Sequence, residues 1–301
     1  MNTDGFIDLH THGIGKYDTN TDKHEEILKI AELHAKAGTA AILPTIYPGS
    51  IDKMRRNIEA VKKAMEIQRA EVKTQNHEFS SSLLFPHSSR ILGVHLEGPF
   101  LNPIKCGALN RTSFIKPTLS SLKKLISGYE DIIKIITIAP EIPGALKIIE
   151  KCSDMGIRVN MGHSDATYKQ AFAGKKAGAA GITHIFNAMK PFHHREPGVA
   201  GLALIDEDLY IEVIADGFHL HPKTLKLIFG IKRLDRIILV SDSVKGSVKK
   251  GMPVYGKKGI LAGSGTTISD SVKILQSIGV PDAEILEAAT DNPMRYIKAK
   301  T

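Results

Sequence analysis

Residues 5–13 read G-F-I-D-L-H-T-H-G, and this stretch combines a short apolar run with two reactive side chains. The run Phe6–Leu9 is typical of a buried strand, and it leads directly into His10 and His12. Because the side chains of a strand alternate between its two faces, the two imidazoles lie on the same face. The stretch therefore predicts a strand that ends in a pair of side chains able to bind one divalent ion.

Seven further runs, rich in Ile and Val, alternate with helical patterns along the chain. They are nearly continuous in apolar residues, which is typical of parallel strands that are buried on both faces. Such alternation indicates repeated βα units. We predict eight strands, near Phe6–Leu9, Ala40–Thr45, Ile91–His95, Ile132–Ile138, Ile157–Met161, Gly181–Ile185, Tyr210–Ile214 and Arg236–Val240.

Helix boundaries and length complete the prediction of the fold. Gly38 marks the end of a helix after the first strand, and Pro222 and Pro281 mark the start of two later helices. The polar stretch from Gln75 to Arg90 reads as a loop before the third strand. We therefore predict an α/β fold, a TIM-like (β/α)₈ barrel, with residues 1–301 forming one domain. An open eight-stranded sheet is the structural alternative.

Composition indicates a folded protein of a reducing compartment. Of the 301 residues 42% are hydrophobic, which suffices for one large core, and the net charge is +8. That charge suits a phosphorylated metabolite, although a solvated basic surface is the simpler explanation. No Arg/Lys block with interleaved aromatic residues indicates nucleic acid, and no apolar run is long enough for a membrane helix. With only two cysteines, Cys106 and Cys152, we expect a soluble cytoplasmic protein.

Residues of the metal-binding or acid–base type follow six of the eight predicted strands. In a (β/α)₈ barrel the carboxyl ends of all strands open on one face, where active sites form. Each such residue alone has a simpler explanation as a loop hydrogen-bonding group. Their joint occurrence predicts an active site built from His10, His12, Glu97, His163, His184, His219 and Asp242.

The residue types at these strand ends favour hydrolysis with a metal ion. A carboxylate with two imidazoles leaves an open position on the ion for water, whose pKa falls toward ~7. Glu97 precedes Gly98 and Pro99, so the chain turns and leaves the carboxylate facing the rim. Asp242 is then suited to take the proton of the water and pass it to a leaving nitrogen. This chemistry cleaves an amide without a nucleophilic Ser or Cys.

The chain resembles the N-acetylglucosamine-6-phosphate deacetylases of the amidohydrolase superfamily. The matching runs follow the order of that family and span nearly the whole chain: G-F-I-D-L-H-T-H-G (5–13), H-L-E-G-P-F (95–100), G-H-S-D-A-T (162–167), T-H-I-F-N-A-M (183–189), R-E-P-G (195–198), D-G-F-H (216–219), S-D-S (241–243) and L-A-G-S (261–264). The resemblance implies metal ligation by Glu97, His163 and His184, with Asp242 as the catalytic acid–base.

The resemblance also implies a substrate and its contacts. The expected reaction removes the acetyl group from N-acetylglucosamine 6-phosphate and yields glucosamine 6-phosphate and acetate. Members of the family differ in whether the first strand carries H-x-H. Because His10 and His12 are both present here, a second ion is expected. One or two divalent ions, most readily zinc, are therefore expected per chain. The implied contacts to the sugar phosphate are Ala108, Asn187, Ala188, Arg195, His219, Leu261, Ala262 and Gly263.

Three departures from the family pattern qualify this reading. Family members usually carry a small β-sandwich built from both ends of the chain, and we expect it to be absent here. Leu109 stands where a polar residue is common, which leaves the preference for the sugar epimer open. The family's T-D-A around the catalytic acid is S-D-S here, with Asp242 kept.

Other functions fit parts of the sequence. N-acetylgalactosamine 6-phosphate or an N-acyl amino acid is an alternative substrate, and D-G-F-H together with R-E-P-G favours a phosphorylated sugar over an N-acyl amino acid. A non-catalytic barrel is the alternative of a different class, and the presence of every expected ligand argues against it. The sequence leaves the assembly open, with a homodimer as one option.

Overall fold

Eight parallel strands form one sheet in the computed structural model of the protein, which describes residues 5–75, 87–246, 252–256 and 259–298. The strands follow one another in sequence order, and each forms hydrogen bonds with the next. Their bounds are Phe6–Thr11 (β1), Thr39–Ile46 (β2), Val94–Glu97 (β3), Ile133–Ile138 (β4), Arg158–Met161 (β5), Gly181–Ile182 (β6), Tyr210–Ile214 (β7) and Ile237–Val240 (β8).

The first and last strands meet and close the barrel. The backbone N–H of Asp242 donates to the carbonyl of His10 over 2.9 Å, and the N–H of His12 donates to the carbonyl of Ser243 over 2.8 Å. These bonds join the carboxyl end of β8 to that of β1. The predicted TIM-like barrel is confirmed, and the open sheet is wrong.

Helices follow most strands and cover the outside of the barrel. In the first of them Ile27, Ile30 and Ala31 are buried, so that its apolar stripe packs on the sheet. No helix within the described ranges is both long and apolar enough to cross a membrane. The helices span His24–Lys36 (α1), Ile51–Gln75 (α2), Leu119–Ile126 (α3), Ala145–Asp154 (α4), Tyr168–Lys176 (α5), Gly198–Ile205 (α6), Pro222–Ile231 (α7), Ile268–Ser277 (α8), Asp282–Ala289 (α9) and Asp291–Lys298 (α10).

The structure differs from the sequence prediction at two places. The third predicted strand consists of two pieces, Arg90–Ile91 and β3, which both pair with β2. The predicted strand Gly181–Ile185 is shorter, because β6 ends at Ile182, whereas α2 ends at Gln75, where the loop to Arg90 was predicted to begin; residues 76–86 lie outside the described ranges.

The two ends of the barrel interior differ in polarity. At the amino ends of the strands Tyr296 of α10 is only 1% exposed and packs among apolar side chains such as Ile7, Ile135 and Ile238. At the carboxyl ends the buried side chains are histidines, carboxylates and hydroxyls. A binding site for polar ligands is therefore confined to the carboxyl ends of the strands.

Candidate active site

Glu97, His163 and His184 form a first buried cluster at the ends of β3, β5 and β6. Oε1 of Glu97 lies 3.0 Å from Nε2 of His163 and 3.1 Å from Nε2 of His184. All three side chains are at most 5% exposed. We call these residues the first cluster; its donor atoms converge within 4.8 Å, close enough to share one metal ion.

His10, His12 and Asp242 form a second cluster beside the first. Nε2 of His10 lies 3.3 Å from Nε2 of His12 and 3.4 Å from Oδ1 of Asp242. Glu97 joins the two clusters, because its Oε2 lies 3.1 Å from Nε2 of His12. The sequence prediction that the first-strand histidines face one side is confirmed by this convergence.

These buried donors fit a divalent metal ion. A carboxylate and imidazoles are the ligands that transition metals such as zinc take in proteins. Four imidazoles and two carboxylates, which would otherwise compete for protons, are gathered in space that water scarcely reaches. The fold and the donor set together therefore support a metal-binding site.

The backbone at the strand ends aims the ligands into the barrel. His163, His184 and Asp242 have φ angles of 47°, 29° and 46°, in the left-handed region that most residues avoid. Each residue lies two positions after the last residue of its strand, and the change of backbone direction there turns its side chain toward the axis. Gly162 is required just before His163, because a Cβ there would lie 2.8 Å from Cβ of Thr183.

Burial and neighbouring charges shift the protonation of the clusters in opposite directions. Burial acts to raise the pKa of Glu97, but the charge of His163 and hydrogen bonds from the surrounding imidazoles hold it well below its usual range. Burial acts to lower the pKa of His184, but Glu97 outweighs it and raises that pKa to about 9. Burial lowers the pKa of His10 to about 4. In the metal-free site the negative charge therefore resides on Glu97, and His10 is a neutral imidazole at neutral pH.

The expected sugar-phosphate contacts lie on loops around the clusters. A Cβ on Gly107 would lie 3.4 Å from Cβ of Ala188, and a Cβ on Gly256 would lie 3.9 Å from Cβ of Ala108 and 3.4 Å from Cβ of Ala262. The loop after β3 therefore contacts both the loop after β6 and the hairpin of Val254–Tyr255 with Leu261–Gly263. A cavity of about 530 Å³ lies there, lined by residues 106–111 and Ile260.

The remaining expected contacts differ in how closely they approach the clusters. The side chain of His219 is 5% exposed, and its Nδ1 lies 2.6 Å from Oδ2 of the buried Asp216. Nδ2 of Asn187 donates to the carbonyl of His184, which ties that loop to a cluster residue. Arg195 is exposed, and within the described ranges no hydrogen bond joins its guanidinium to either cluster.

Sequence reasoning missed several polar side chains that surround the clusters. Glu212 and Asn160 are buried inside the barrel, and Tyr47 stacks on His12 with ring centroids 3.9 Å apart. Glu141 accepts hydrogen bonds from Asn102, from Ser164 and from a backbone N–H, which ties the loop after β3 to the loop that carries His163. A lone polar residue inside an apolar strand was the available signal, and it was present at Glu212 and Asn160.

Comparisons with known proteins identify relatives in sequence and in structure. No protein-family model matches the chain. A relative from Lysinibacillus sphaericus, the N-acetylglucosamine-6-phosphate deacetylase, is 32% identical over 294 residues, which cover 91% of this chain and 70% of that protein. An N-acetylgalactosamine-6-phosphate deacetylase from Escherichia coli O157:H7 is 30% identical over 310 residues, which cover 97% of this chain and 77% of that protein.

Solved structures agree with these relatives. The N-acetylglucosamine-6-phosphate deacetylase of Thermotoga maritima is 28% identical and superposes with a TM-score of 0.84, over 98% of this chain and 78% of that one. A variant of the Mycobacterium smegmatis enzyme in complex with N-acetyl-D-glucosamine-6-phosphate is 26% identical and has a TM-score of 0.83, over 98% of this chain and 77% of that one. Motifs, fold and these likenesses agree, and this chain belongs to the N-acetylglucosamine-6-phosphate deacetylase family of the amidohydrolase superfamily.

Proposed function

We propose that this protein is a metal-dependent deacetylase that converts N-acetylglucosamine 6-phosphate to glucosamine 6-phosphate and acetate. One observation supports this function above others: Glu97 contacts His163, His184 and His12 at once, beside Asp242, at the active face of a barrel of this family. The relatives named above act on acetylated amino sugar phosphates, and one solved relative was crystallised with such a compound.

The first cluster is the proposed principal metal site, with His10 and His12 of the second cluster as ligands of a further ion. We propose zinc, at one to two ions per chain, because a mixed imidazole and carboxylate set with an open position is typical of catalytic zinc. The chemistry that such an ion supplies is polarisation of the amide carbonyl and activation of water.

Asp242 is the proposed proton carrier. Its Oδ1 lies 3.4 Å from His10 Nε2, and its side chain is 13% exposed, more than the side chains of the other cluster residues. An amine does not leave an amide as an anion, so its nitrogen must gain a proton as the C–N bond breaks. Asp242 accepts a proton from the attacking water and donates it to this nitrogen, which returns the carboxylate to its starting state.

The loops around the clusters are the proposed sugar-phosphate site. The proposed contacts are Ala108, which lines the cavity, Asn187, Ala188 and the segment Leu261–Gly263 on loops that approach it, and His219, whose ring orientation Asp216 fixes. Arg195 is the proposed partner of the phosphate, because a guanidinium binds such an oxyanion through two parallel hydrogen bonds.

N-acetylgalactosamine 6-phosphate is a second candidate substrate. The E. coli relative named for that sugar is 30% identical over 97% of this chain, and Leu109 removes a polar side chain from the loop that lines the cavity. The two sugars differ in the configuration of a single hydroxyl group, so a change of one polar contact is enough to alter the preference.

A panel of acetylated substrates tests the proposal. Zinc-loaded protein should release acetate from N-acetylglucosamine 6-phosphate far faster than from N-acetylglucosamine without the phosphate. The panel includes N-acetylgalactosamine 6-phosphate and N-acetyl amino acids, and the Asp242→Asn variant serves as the inactive control. Faster hydrolysis of an N-acetyl amino acid than of either sugar phosphate would overturn the proposal.

A further inference from the structure

Glu212 is a buried carboxylate beneath the two clusters that the proposed reaction does not use. It lies on β7 with its side chain inside the barrel, and the residue is 1% exposed. Its Oε2 lies 2.9 Å from Nδ1 of His10, and its Oε1 lies 2.7 Å from Nδ2 of Asn160. An ionised carboxylate in such a place is costly unless hydrogen bonds satisfy it, so this arrangement calls for an explanation.

The neighbours of Glu212 fix the direction of its hydrogen bonds. The hydroxyl of Tyr296 donates to Oδ1 of Asn160, so the Nδ2 of that amide must donate to Glu212. Nε of Arg158 donates to the carbonyl of Tyr296 over 2.8 Å, which holds Tyr296 in place at the bottom of the barrel. Glu212 is therefore an acceptor at Oε1 and is prevented from turning away from His10.

This network has a direct consequence for the imidazole of His10. When Nδ1 of His10 donates its proton to Glu212, Nε2 carries the free lone pair. That Nε2 faces Nε2 of His12 and Oδ1 of Asp242, the two other members of the second cluster. Only a nitrogen without a proton binds a metal ion.

We propose that Glu212 is a positioning residue, which fixes the tautomer and the ring orientation of His10 so that Nε2 is available to an ion in the second cluster. The inference rests on the proposed function, which assigns His10 to a metal. It concerns the hydrogen bond between Oε2 of Glu212 and Nδ1 of His10, whereas Asn160 occupies the other oxygen of the carboxylate.

A direct role of Glu212 as a metal ligand is the competing explanation. Its carboxylate, His10 and His95 offer donor atoms within 4.8 Å of one another. However, the ring nitrogens of His95 already lie 3.1 Å from the carbonyl of Leu9 and 2.9 Å from the hydroxyl of Thr137. His95 is thus occupied on both sides, and the hydrogen bond to His10 is the role that the contacts of Glu212 favour.

The Glu212→Gln variant tests the role through zinc binding. Glutamine keeps the shape of the side chain, but its amide nitrogen is a donor. That nitrogen must face another donor, either Nδ1 of His10 or Nδ2 of Asn160. The two donors no longer oppose each other if the proton of His10 moves from Nδ1 to Nε2. Competition with a chelator should give two equivalents of zinc in the parent protein. In the variant the second equivalent should bind about 10–100-fold more weakly, the usual effect of losing a partner of a metal-binding histidine, with the first equivalent little changed.

Tyr296→Phe is the matched control. It removes the hydroxyl that donates to Asn160, in the same buried network, and leaves the pair of Glu212 and His10 intact. Both equivalents should keep the affinity of the parent protein. Equal weakening in both variants would overturn the proposal, because it would indicate a general loosening of the barrel.

The tautomer of His10 is a second readout that needs neither activity nor metal. In metal-free parent protein labelled with ¹⁵N-histidine, the His10 signal, identified by its absence in His10→Gln, should show a proton on Nδ1. In Glu212→Gln it should move to Nε2. A proton on Nε2 of His10 in the parent protein would overturn the proposal, as would unchanged zinc affinity in Glu212→Gln. A parent protein that binds one equivalent of zinc, or three, instead of two would also overturn it. Failure of the proposed function would give a different result: zinc would bind, but the protein would leave the sugar phosphate uncleaved.

Discussion

Asp242 is the residue at which the mechanism is most directly tested. Asp242→Asn keeps the shape and the hydrogen-bonding capacity of the side chain but removes its ability to carry a proton. We expect the rate of deacetylation to fall by about 10²–10⁴-fold, the range typical of a lost general acid–base. Zinc content and substrate affinity should persist, as measured by elemental analysis and by calorimetry with the uncleaved substrate.

Asp235→Asn is the matched control for this substitution. Asp235 lies just before β8 and Asp242 just after it, so the same chemical change is made at opposite ends of one strand. Asp235 pairs with Arg233 and Arg236, far from the clusters, and its loss should leave the rate unchanged. A rate for Asp242→Asn within a few-fold of the parent would instead assign the proton transfer to another group, with His219 the first candidate.

The first-strand histidines give a second prediction at this scale. His10→Gln together with His12→Asn should lower the zinc content by about one ion per chain, because both side chains keep polar ends but lose the imidazoles. Part of the turnover should remain, since the first cluster is left whole and one ion suffices to activate water. Unchanged zinc content in the double variant would show that this pair is structural.

Residue identity predicted the clusters but not their surroundings. Glu97, His163, His184 and Asp242 were predictable because each directly follows an apolar run, and barrel strands end on one face. Glu212 also interrupts an apolar run, but its partners on β1 and β5 are 202 and 52 residues away in the sequence. Partners so far apart in the sequence have no regular spacing, so only the fold shows which groups contact Glu212.

At the scale of elements, the turns after the strands carry site residues in backbone conformations that cost free energy. Ala188 has a φ of 49°, which an Ala adopts only at a cost in free energy. Ala188→Gly should therefore raise the free energy of unfolding by about 1 kcal/mol, measured by urea denaturation. The matched control Ala203→Gly lies inside α6 and should lower it by about 1 kcal/mol or more. A loss of stability in Ala188→Gly would show that the turn carries no strain.

Element boundaries were less predictable than element types. The sequence predicted a strand over Gly181–Ile185, but β6 ends at Ile182, because the chain turns into the left-handed region at His184. Composition sets the type of an element, while its end depends on contacts made in three dimensions.

For the whole molecule, removal of the metal should lower stability without unfolding the barrel. Each ion that binds only the folded state adds about 2.7 kcal/mol when its free concentration is 100 times its Kd. The apolar packing around Tyr296 and between sheet and helices does not involve the clusters. Dialysis against a chelator should thus lower the melting temperature by several degrees and leave the far-ultraviolet circular dichroism at 25 °C unchanged. Loss of that signal on chelation would mean that the metal holds the fold together.

Assembly is a further prediction for the whole molecule. The sequence leaves the assembly open with a homodimer as one option; we propose the homodimer, and light scattering during gel filtration at two protein concentrations tests it. A mass of about 66 kDa, twice the chain mass of 32.8 kDa, is the expected result, and a mass of one chain at both concentrations would contradict it.

The left-handed backbone at the strand ends also affects how natural and laboratory variation at these positions should be interpreted. At His163, His184 and Asp242, intolerance to substitution has two sources, since a new residue loses the chemistry and must also accept a rare conformation. Phe186 adopts the same left-handed conformation, with a φ of 72°, but has no proposed chemical role. In a saturation library, Gly and Asn should therefore score well at Phe186 relative to β-branched residues, yet fail at Asp242. Comparing the two profiles separates what the polypeptide backbone demands from what catalysis demands.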